Sequence, residues 1–142
     1  KTLRYITIRT NENDNKLIYG MDRVDLSKPV KIVEGPLDSL FLNNCVASGD
    51  AHLTTVAKSI NAPKKIIIFD NEPRNKEIVK MIEDAIKSNH NVVIWPNMLT
   101  GSKDINEIYL SGIPLDEIES IISRSTFSGL EAQTNFVFWK KI

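Results

Sequence analysis

The stretch Lys31-Ile32-Val33-Glu34-Gly35-Pro36-Leu37-Asp38 predicts the fold, because a short apolar run ends on a carboxylate and then turns into a helix start. Residues 64–70 repeat this pattern and end on Asp70, and Glu72 adds a further acid. Short continuous apolar runs are typical of parallel strands that are buried on both faces. If these two strands are neighbours, their terminal carboxylates meet at one edge of one sheet. The two stretches therefore indicate an α/β fold with a divalent-metal site.

The predicted sheet is mostly parallel and flanked by helices, because short apolar runs alternate with helix-length segments. The runs expected to form strands are residues 30–33, 45–47, 66–69 and 92–95. Helical spacing predicts a helix that starts at Pro36 and further helices over residues 53–60, 75–88 and 114–123. The patterns at residues 3–9 and 16–19 predict an N-terminal β-hairpin, and the apolar residues 136–139 predict a last strand.

The composition is that of one globular domain without a bulk charge. A chain of 142 residues can bury a core without disulfides, and 18 lysines and arginines balance 18 aspartates and glutamates. Any site for a polyanion must therefore be local. Cys45 is the only cysteine and is expected in the core, which excludes disulfides and cysteine zinc knuckles. His52 and His90 are expected to be surface or packed residues rather than zinc ligands.

The sequence leads us to expect no targeting or membrane-spanning segment within these residues. No apolar run approaches the ~18 residues needed to cross a bilayer, and the first residues lack the apolar core of a signal peptide. We therefore expect no membrane partner and a cytoplasmic protein, in a bacterial host cell if it is phage-encoded. The chain starts without methionine and ends just after an apolar run, so it is expected to be a piece of a longer protein.

Acidic side chains follow the predicted strands at the edge where open parallel sheets bind ligands. Glu34 ends the first strand, and Asp38 lies in the first turn of the helix that Pro36 begins. Asp70 and Glu72 follow the third strand, and in an extended segment both carboxylates would point to the same side and share a magnesium-type ion. The alternative for the first pair is a solvated strand end and a favourable acid at a helix start.

A third polar cluster, Lys103-Asp104-Ile105-Asn106-Glu107, follows the fourth strand and its loop. Two interpretations of Asp104 stay open, a helix N-cap and a metal ligand. Lys103 and Arg74 each stand beside an acidic cluster and are candidate phosphate contacts, with a solvated surface position as the alternative for Arg74. Clustered carboxylates of this kind favour a hard divalent cation.

The order of these segments resembles the Toprim domain, the metal-binding module shared by DnaG-type primases, type IA and type II topoisomerases and some nucleases. The resemblance spans residues 30–110 and rests on Glu34-Gly35-Pro36-Leu37-Asp38 at one strand end and Asp70-Asn71-Glu72 at another. Leu17-Ile18-Tyr19-Gly20-Met21 and the third polar cluster are similar to segments of DnaG-type primases. Residues 34–42 and 69–76 resemble most the primases of T-even-type tailed phages.

The resemblance implies roles for single residues. Glu34 would be the general acid or base, Asp70 and Glu72 the ligands of Mg²⁺ or Mn²⁺, and Asp38 and Asp104 supporting ligands. The chain departs from the family at Glu72, where the usual residue is Asp, and in the small residues after it, which are Pro73 and Arg74 here. Asn106 also replaces an acid, which argues against a full second set of metal ligands.

The resemblance further implies a division of the chain and a set of partners. Residues 1–29 would form the hairpin and lead-in of a primase core, residues 30–124 a Rossmann-like Toprim domain, and residues 125–142 a C-terminal extension that can be incomplete. The implied partners are single-stranded DNA template, nucleoside triphosphates and an RNA primer. The replicative helicase would bind through regions outside this chain.

The leading functional hypothesis is the catalytic-core fragment of a DNA primase, a DNA-directed RNA polymerase that makes short RNA primers for DNA replication. Such a fragment can be inactive without its zinc-binding and helicase-binding regions. The alternatives are a Toprim nuclease that cleaves phosphodiesters with the same carboxylates, and a non-catalytic Toprim scaffold that binds nucleic acid or protein. A topoisomerase is disfavoured, because the nucleophilic tyrosine of those enzymes usually lies in a separate domain.

Overall fold

The structure is a computed structural model that describes residues 18–142. Within these residues, the central element is a five-stranded sheet. The strands are β1 (Val30–Val33), β2 (Cys45–Ala47), β3 (Lys65–Ile67), β4 (Asn91–Val93) and β5 (Thr126–Phe127). Their order across the sheet is β2-β1-β3-β4-β5, and all neighbours are parallel except the antiparallel pair β4–β5. The predicted fold class is confirmed, and the mostly parallel sheet is consistent with a Rossmann-like fold.

Helices connect the strands and cover both faces of the sheet, as a parallel sheet requires. Within residues 18–142 they are α1 (Pro36–Ser39), α2 (Leu53–Ser59), α3 (Lys76–Lys87), α4 (Ile105–Leu110), α5 (Leu115–Arg124) and α6 (Gly129–Trp139), with a 3-10 turn at Asn97–Leu99. The helix predicted to start at Pro36 is only one turn long. The helices predicted over residues 53–60, 75–88 and 114–123 are all present, with no end shifted by more than one residue.

The third helix shows why these segments become helical. Asn75 is the N-cap of α3, and its side chain accepts hydrogen bonds from the backbone N–H groups of Glu77 and Ile78. Ile78 and Ile82 lie on the buried face, and charged residues occupy the exposed face. The apolar period and the cap therefore agree, which makes this one of the best specified elements of the chain.

The core lies on both faces of the central strands. Ile32 of β1, Ile67 of β3 and Val92 of β4 have no exposed surface. Each buried side chain of this size contributes roughly 1.5–3 kcal/mol of hydrophobic free energy relative to an exposed position. Cys45 is 3% exposed, so its predicted place in the core is confirmed.

The prediction of a last strand at residues 136–139 is wrong, because these residues lie in α6. Phe136 and Trp139 are three residues apart on one helix face, are both buried, and have ring centroids 6.2 Å apart. Val137 and Phe138 are exposed on the other side, at 61% and 75%. A short apolar run has no period that separates a strand from a helix, so the tertiary contacts decide.

Two other strand predictions are too long by two residues at their C-terminal ends. The strand predicted over residues 66–69 is β3, which ends at Ile67, and the strand predicted over residues 92–95 is β4, which ends at Val93. The backbone continues beyond both ends with single bonds, from Ile68 N to Ile32 O at 2.9 Å and from Ile94 N to Ser125 O at 3.0 Å. The short strand β5 has no counterpart among the predicted elements.

The predicted N-terminal hairpin lies outside the described residues, except for its last two positions. One of these, Tyr19, forms an antiparallel bridge with Ala47 at the edge of the sheet, with two backbone hydrogen bonds of 2.9 Å. Within residues 18–142, no helix is long and apolar enough to cross a membrane.

A half-buried ion pair joins the central strand β1 to α5. Lys31 Nζ lies 3.1 Å from Glu119 Oε2, and the two side chains are only 15% and 21% exposed. Both also bind the backbone of Asn43, since Lys31 Nζ donates to its carbonyl at 2.8 Å and its N–H donates to Glu119 Oε1 at 2.6 Å. This group ties α5 to the loop between α1 and β2.

We expect Glu119→Ala to lower the free energy of unfolding by ~1–3 kcal/mol, because it leaves the Lys31 ammonium and the Asn43 N–H without their partner. The matched control is Glu83→Ala, which removes a pair of similar length, 3.2 Å, whose side chains are 65% and 41% exposed. That change should cost about 0–0.5 kcal/mol. Urea unfolding measures both changes. Equal decreases in the free energy of unfolding would show that the half-buried Lys31–Glu119 pair stabilises the fold no more than an exposed pair does.

Candidate functional site

The parallel pairing of β1 with β3 places two predicted site residues at the same edge of the sheet. Ile32 lies opposite Ile67, so the segments that lead to Glu34 and Asp70 leave the sheet side by side. Glu34 is exposed, and its carbonyl accepts a hydrogen bond from Gly49 N at 3.1 Å. Gly49 lies in a turn and has a φ of 62°, a backbone conformation that glycine adopts without steric cost.

Two further acids reach this edge from helix starts. Asp38 in α1 accepts a hydrogen bond from Asn106 N at 3.1 Å through Oδ1. Asp104 is the N-cap of α4, and its Oδ1 accepts from Glu107 N at 2.9 Å, while Glu107 Oε1 accepts from Lys103 N at 3.1 Å. The N-cap interpretation of Asp104 is thus confirmed, and its role as a metal ligand stays a prediction.

Three of these acids line one small pocket. Asp38, Asp70 and Asp104 share it with the apolar side chains of Val33, Ile68, Phe69, Trp95 and Ile105. Trp95 closes the apolar side, because it is 4% exposed and its Nε1 donates to Phe69 O at 2.9 Å. An apolar wall beside carboxylates limits their hydration.

The protonation of Asp70 shows how closely the acids interact. Its pKa is raised from the ordinary 3.8 to about 7, mainly by burial and further by the negative charges of Glu34, Asp104 and Asp38. Lys103 acts in the opposite direction and lowers the pKa. The structure therefore brings together four predicted acids and one predicted phosphate contact, and the group carries more negative charge than its surroundings easily accommodate.

Glu72 and Arg74 follow Asp70 in a turn, not in an extended segment. Glu72 N donates to Asp70 O at 2.9 Å, and Asn75 N donates to Glu72 O at 3.0 Å. The premise that Asp70 and Glu72 lie in an extended segment with both carboxylates on the same side is therefore wrong, because the backbone turns after Asp70. Arg74 is exposed. The roles of Glu72 and Arg74 in binding metal and phosphate stay predictions.

Asn71 and Trp139 are two contributors to the site that the sequence did not reveal. Asn71 lies between the two acids and is buried, and its Oδ1 accepts a hydrogen bond from Trp139 Nε1 at 2.9 Å. The sequence shows only an asparagine in a polar stretch and a tryptophan in an apolar one. No local pattern connects positions 68 residues apart, so only the folded chain reveals the pair.

We expect Asp70→Asn to stabilise the metal-free protein at pH 8 by roughly 1–3 kcal/mol and to have no effect below pH 4. The folded-state pKa of Asp70 lies above its ordinary value, so the folded state binds more protons than the unfolded state between pH 3.8 and about 7. Stability therefore falls as the pH rises through this range, and the neutral asparagine removes that loss. Urea unfolding in EDTA from pH 4 to 8 measures it.

Two control variants sharpen this measurement. Asp104→Asn keeps the side-chain oxygen that caps α4 but removes one negative charge near Asp70. The free energy of unfolding should therefore fall less between pH 4 and pH 8 than it does in the unmodified protein. Asp84→Asn changes an exposed acid that pairs with Lys80 on α3, and it should leave the Asp70 contribution unchanged. A pH profile that is the same with and without Asp70 would contradict the assigned charge cluster.

In the comparison with known proteins, no family model matches this chain. The chain is 29% identical to a DNA primase of Enterobacteria phage T4 over 140 residues, which is 98% of this chain and 40% of the phage protein. The chain thus spans less than half the length of the curated relative that it matches. This similarity supports a primase-related protein segment.

Proposed function

We propose that this chain carries the metal-binding carboxylates of a DNA primase and takes part in nucleotidyl transfer during primer synthesis. The observation that carries the proposal is the Asp70 carboxylate, which is half-buried and surrounded by Glu34, Asp38 and Asp104 at the carboxyl edge of a parallel sheet. The similarity to a phage DNA primase supports the same reaction class. On this proposal the fold is a Toprim domain of the DnaG type.

The donor set suits a hard divalent cation. All four acids offer carboxylate oxygens, which Mg²⁺ and Mn²⁺ prefer. Among the side chains of residues 18–142, no group of three or more histidines, cysteines, aspartates and glutamates is already placed to hold a metal ion. Mg²⁺ does not need such a group, because it is usually held by one or two carboxylates together with water and substrate phosphates. A cation would also relieve the repulsion that raises the pKa of Asp70.

The residues proposed to hold the ion are Asp70 and Glu72, with Asp38 and Asp104 in support. When bound, the cation would lower the pKa of the attacking 3′-hydroxyl and offset the charge of the pyrophosphate leaving group. The hydrogen bonds of Asp38 and Asp104 to backbone N–H groups of α4 use Oδ1 of each carboxylate, and they hold the two side chains in place. This fixes their orientation before any substrate arrives.

Glu34 is proposed to handle the proton of the reaction. Its side chain is exposed at the end of β1, so a substrate hydroxyl can reach it, and the turn at Gly35 and Pro36 presents it at the sheet edge. A carboxylate in this place can accept the proton that the 3′-hydroxyl loses as the new phosphodiester bond forms. Burial is not needed for this role, because the hydroxyl has to approach from solvent.

Lys103 and Arg74 are proposed to bind phosphate groups. Lys103 is partly buried and its positive charge lowers the pKa of Asp70, so a phosphate group bound near Asp70 would be within reach of its charge. Arg74 is exposed two residues after Glu72 and would contact phosphate at the rim. The proposed partners are nucleoside triphosphates, an RNA primer and single-stranded DNA, with the replicative helicase and a zinc-binding module contributed by other regions.

We expect Mn²⁺ or Mg²⁺ to raise the melting temperature of the chain at pH 7.5 by roughly 2–5 °C at saturation. The cation binds the folded carboxylate group and removes repulsion that is absent from the unfolded chain. Asp70→Asn should abolish most of the shift, and the exposed Asp84→Asn should keep it. Differential scanning fluorimetry with EDTA-treated protein measures this, and an equal shift in both variants would place the metal elsewhere.

Replacing the aligned part of the phage primase with this chain tests the activity. We expect the chimaera, given single-stranded DNA and labelled ribonucleotides, to place label in short oligomers, and Glu34→Gln in the chimaera to reduce this at least about 100-fold. Glu77→Gln on the exposed face of α3 should have no effect. Cut template would instead indicate a nuclease, and full activity with Glu34→Gln would remove Glu34 from the mechanism.

A further inference from the structure

A buried asparagine connects the candidate metal site to the end of α6. Asn71 is 8% exposed and stands between Asp70 and Glu72. Its Nδ2 donates to Leu99 O at 2.9 Å and to Ser102 O at 3.0 Å, and its Oδ1 accepts from Trp139 Nε1 at 2.9 Å. A primary amide has two donor hydrogens and one acceptor oxygen, so every polar group of this side chain is used.

The bonds of Asn71 hold the loop that leads into Asp104. Its backbone N–H donates to Lys103 O at 2.6 Å, so residues 99–103 are bound to Asn71 through three carbonyl groups. Asp104 follows directly and begins α4. The spacing between Asp104 and Asp70, which precedes Asn71, therefore depends on these bonds.

The C-terminal end of α6 is attached to the same segment at two points. Trp139 is the last residue of the helix, is 6% exposed, and donates to Asn71 as described. Two residues later, Lys141 N donates to Pro73 O at 2.9 Å. A shift of the end of α6 must either move residues 71–73 or break these hydrogen bonds, and the buried Asn71 oxygen would then be unsatisfied.

We propose that Asn71 and Trp139 are positioning residues of the candidate metal site, through which the end of α6 sets the placement of Asp104 relative to Asp70. This inference rests on the proposed function, because it assigns metal binding to those carboxylates. Residues that orient metal ligands without touching the ion typically change metal affinity by about 10- to 100-fold when mutated. A partner that displaces the end of α6 would therefore weaken the metal site.

Trp139→Phe is the most direct test, because it removes the indole N–H and keeps an aromatic side chain. We expect the Mn²⁺ affinity of this chain, measured by isothermal titration calorimetry well below the melting temperature, to fall about 10-fold. Ile118→Val is the matched control. It removes one methyl group from a fully buried residue of α5, costs roughly 0.5–1.5 kcal/mol of stability, and should leave the affinity unchanged.

Two further variants test the same connection at its other hydrogen bonds. Asn71→Asp has almost the same shape but turns an acceptor toward the carbonyls of Leu99 and Ser102, so its loss of affinity should exceed that of Trp139→Phe. Lys141→Pro removes only the N–H that binds Pro73, at an exposed position, and should weaken Mn²⁺ binding in the same direction. Lys141→Pro replaces Trp139→Phe as the test variant if Trp139→Phe does not fold.

Hydrogen exchange separates failure of this inference from failure of the proposed function. The backbone N–H groups of Ser102 and Lys103 are hydrogen-bonded within the loop and its helix start, and they should exchange faster in Trp139→Phe than in Ile118→Val. If the unmodified chain binds no Mn²⁺, the proposed function fails and this exchange difference alone decides the coupling. Equal exchange, or a Mn²⁺ affinity in Trp139→Phe equal to that of Ile118→Val, would overturn it.

Discussion

The parallel pairing of β1 with β3 is the constraint on which the rest of the structure depends. It makes both strands leave the sheet at the same edge, so the segments that carry Glu34 and Asp70 meet there. The hydrophobic free energy of the central strands holds this arrangement, since residues such as Ile32 and Ile67 have no exposed surface. The hydrophobic core thus offsets the repulsion between the carboxylates that meet at this edge.

The acids of the site do not act as independent surface groups. Burial and the charges of Glu34, Asp104 and Asp38 together raise the pKa of Asp70 to about 7, so at neutral pH the group resists carrying its full negative charge. Two of these acids also bind backbone N–H groups at the start of α4 and so have a structural task. One set of side chains therefore both supports the fold at this edge and concentrates negative charge there. The similarity to a phage DNA primase supports a primase-related segment.

Polar groups buried beneath this edge connect elements that are far apart in the chain. Asn71 binds the loop at residues 99–103 and the end of α6, and Trp95 binds Phe69 O under the pocket. Each of these hydrogen bonds contributes little net free energy to stability when it is formed, but a buried polar group that loses its partner costs ~1–3 kcal/mol. A displacement that breaks one of these hydrogen bonds therefore leaves a buried polar group without its partner.

Local patterns in the sequence determined the α/β class, the central strands that lead to Glu34 and Asp70, and helix α3, because apolar period, caps and turn residues act over a few neighbouring positions. Tertiary structure alone decided that residues 136–139 are helical, that β5 pairs antiparallel with β4, that residues 70–75 turn, and that Asn71 meets Trp139. These features depend on partners distant in the chain, and an apolar run or a single asparagine contains no information about which partner it will find.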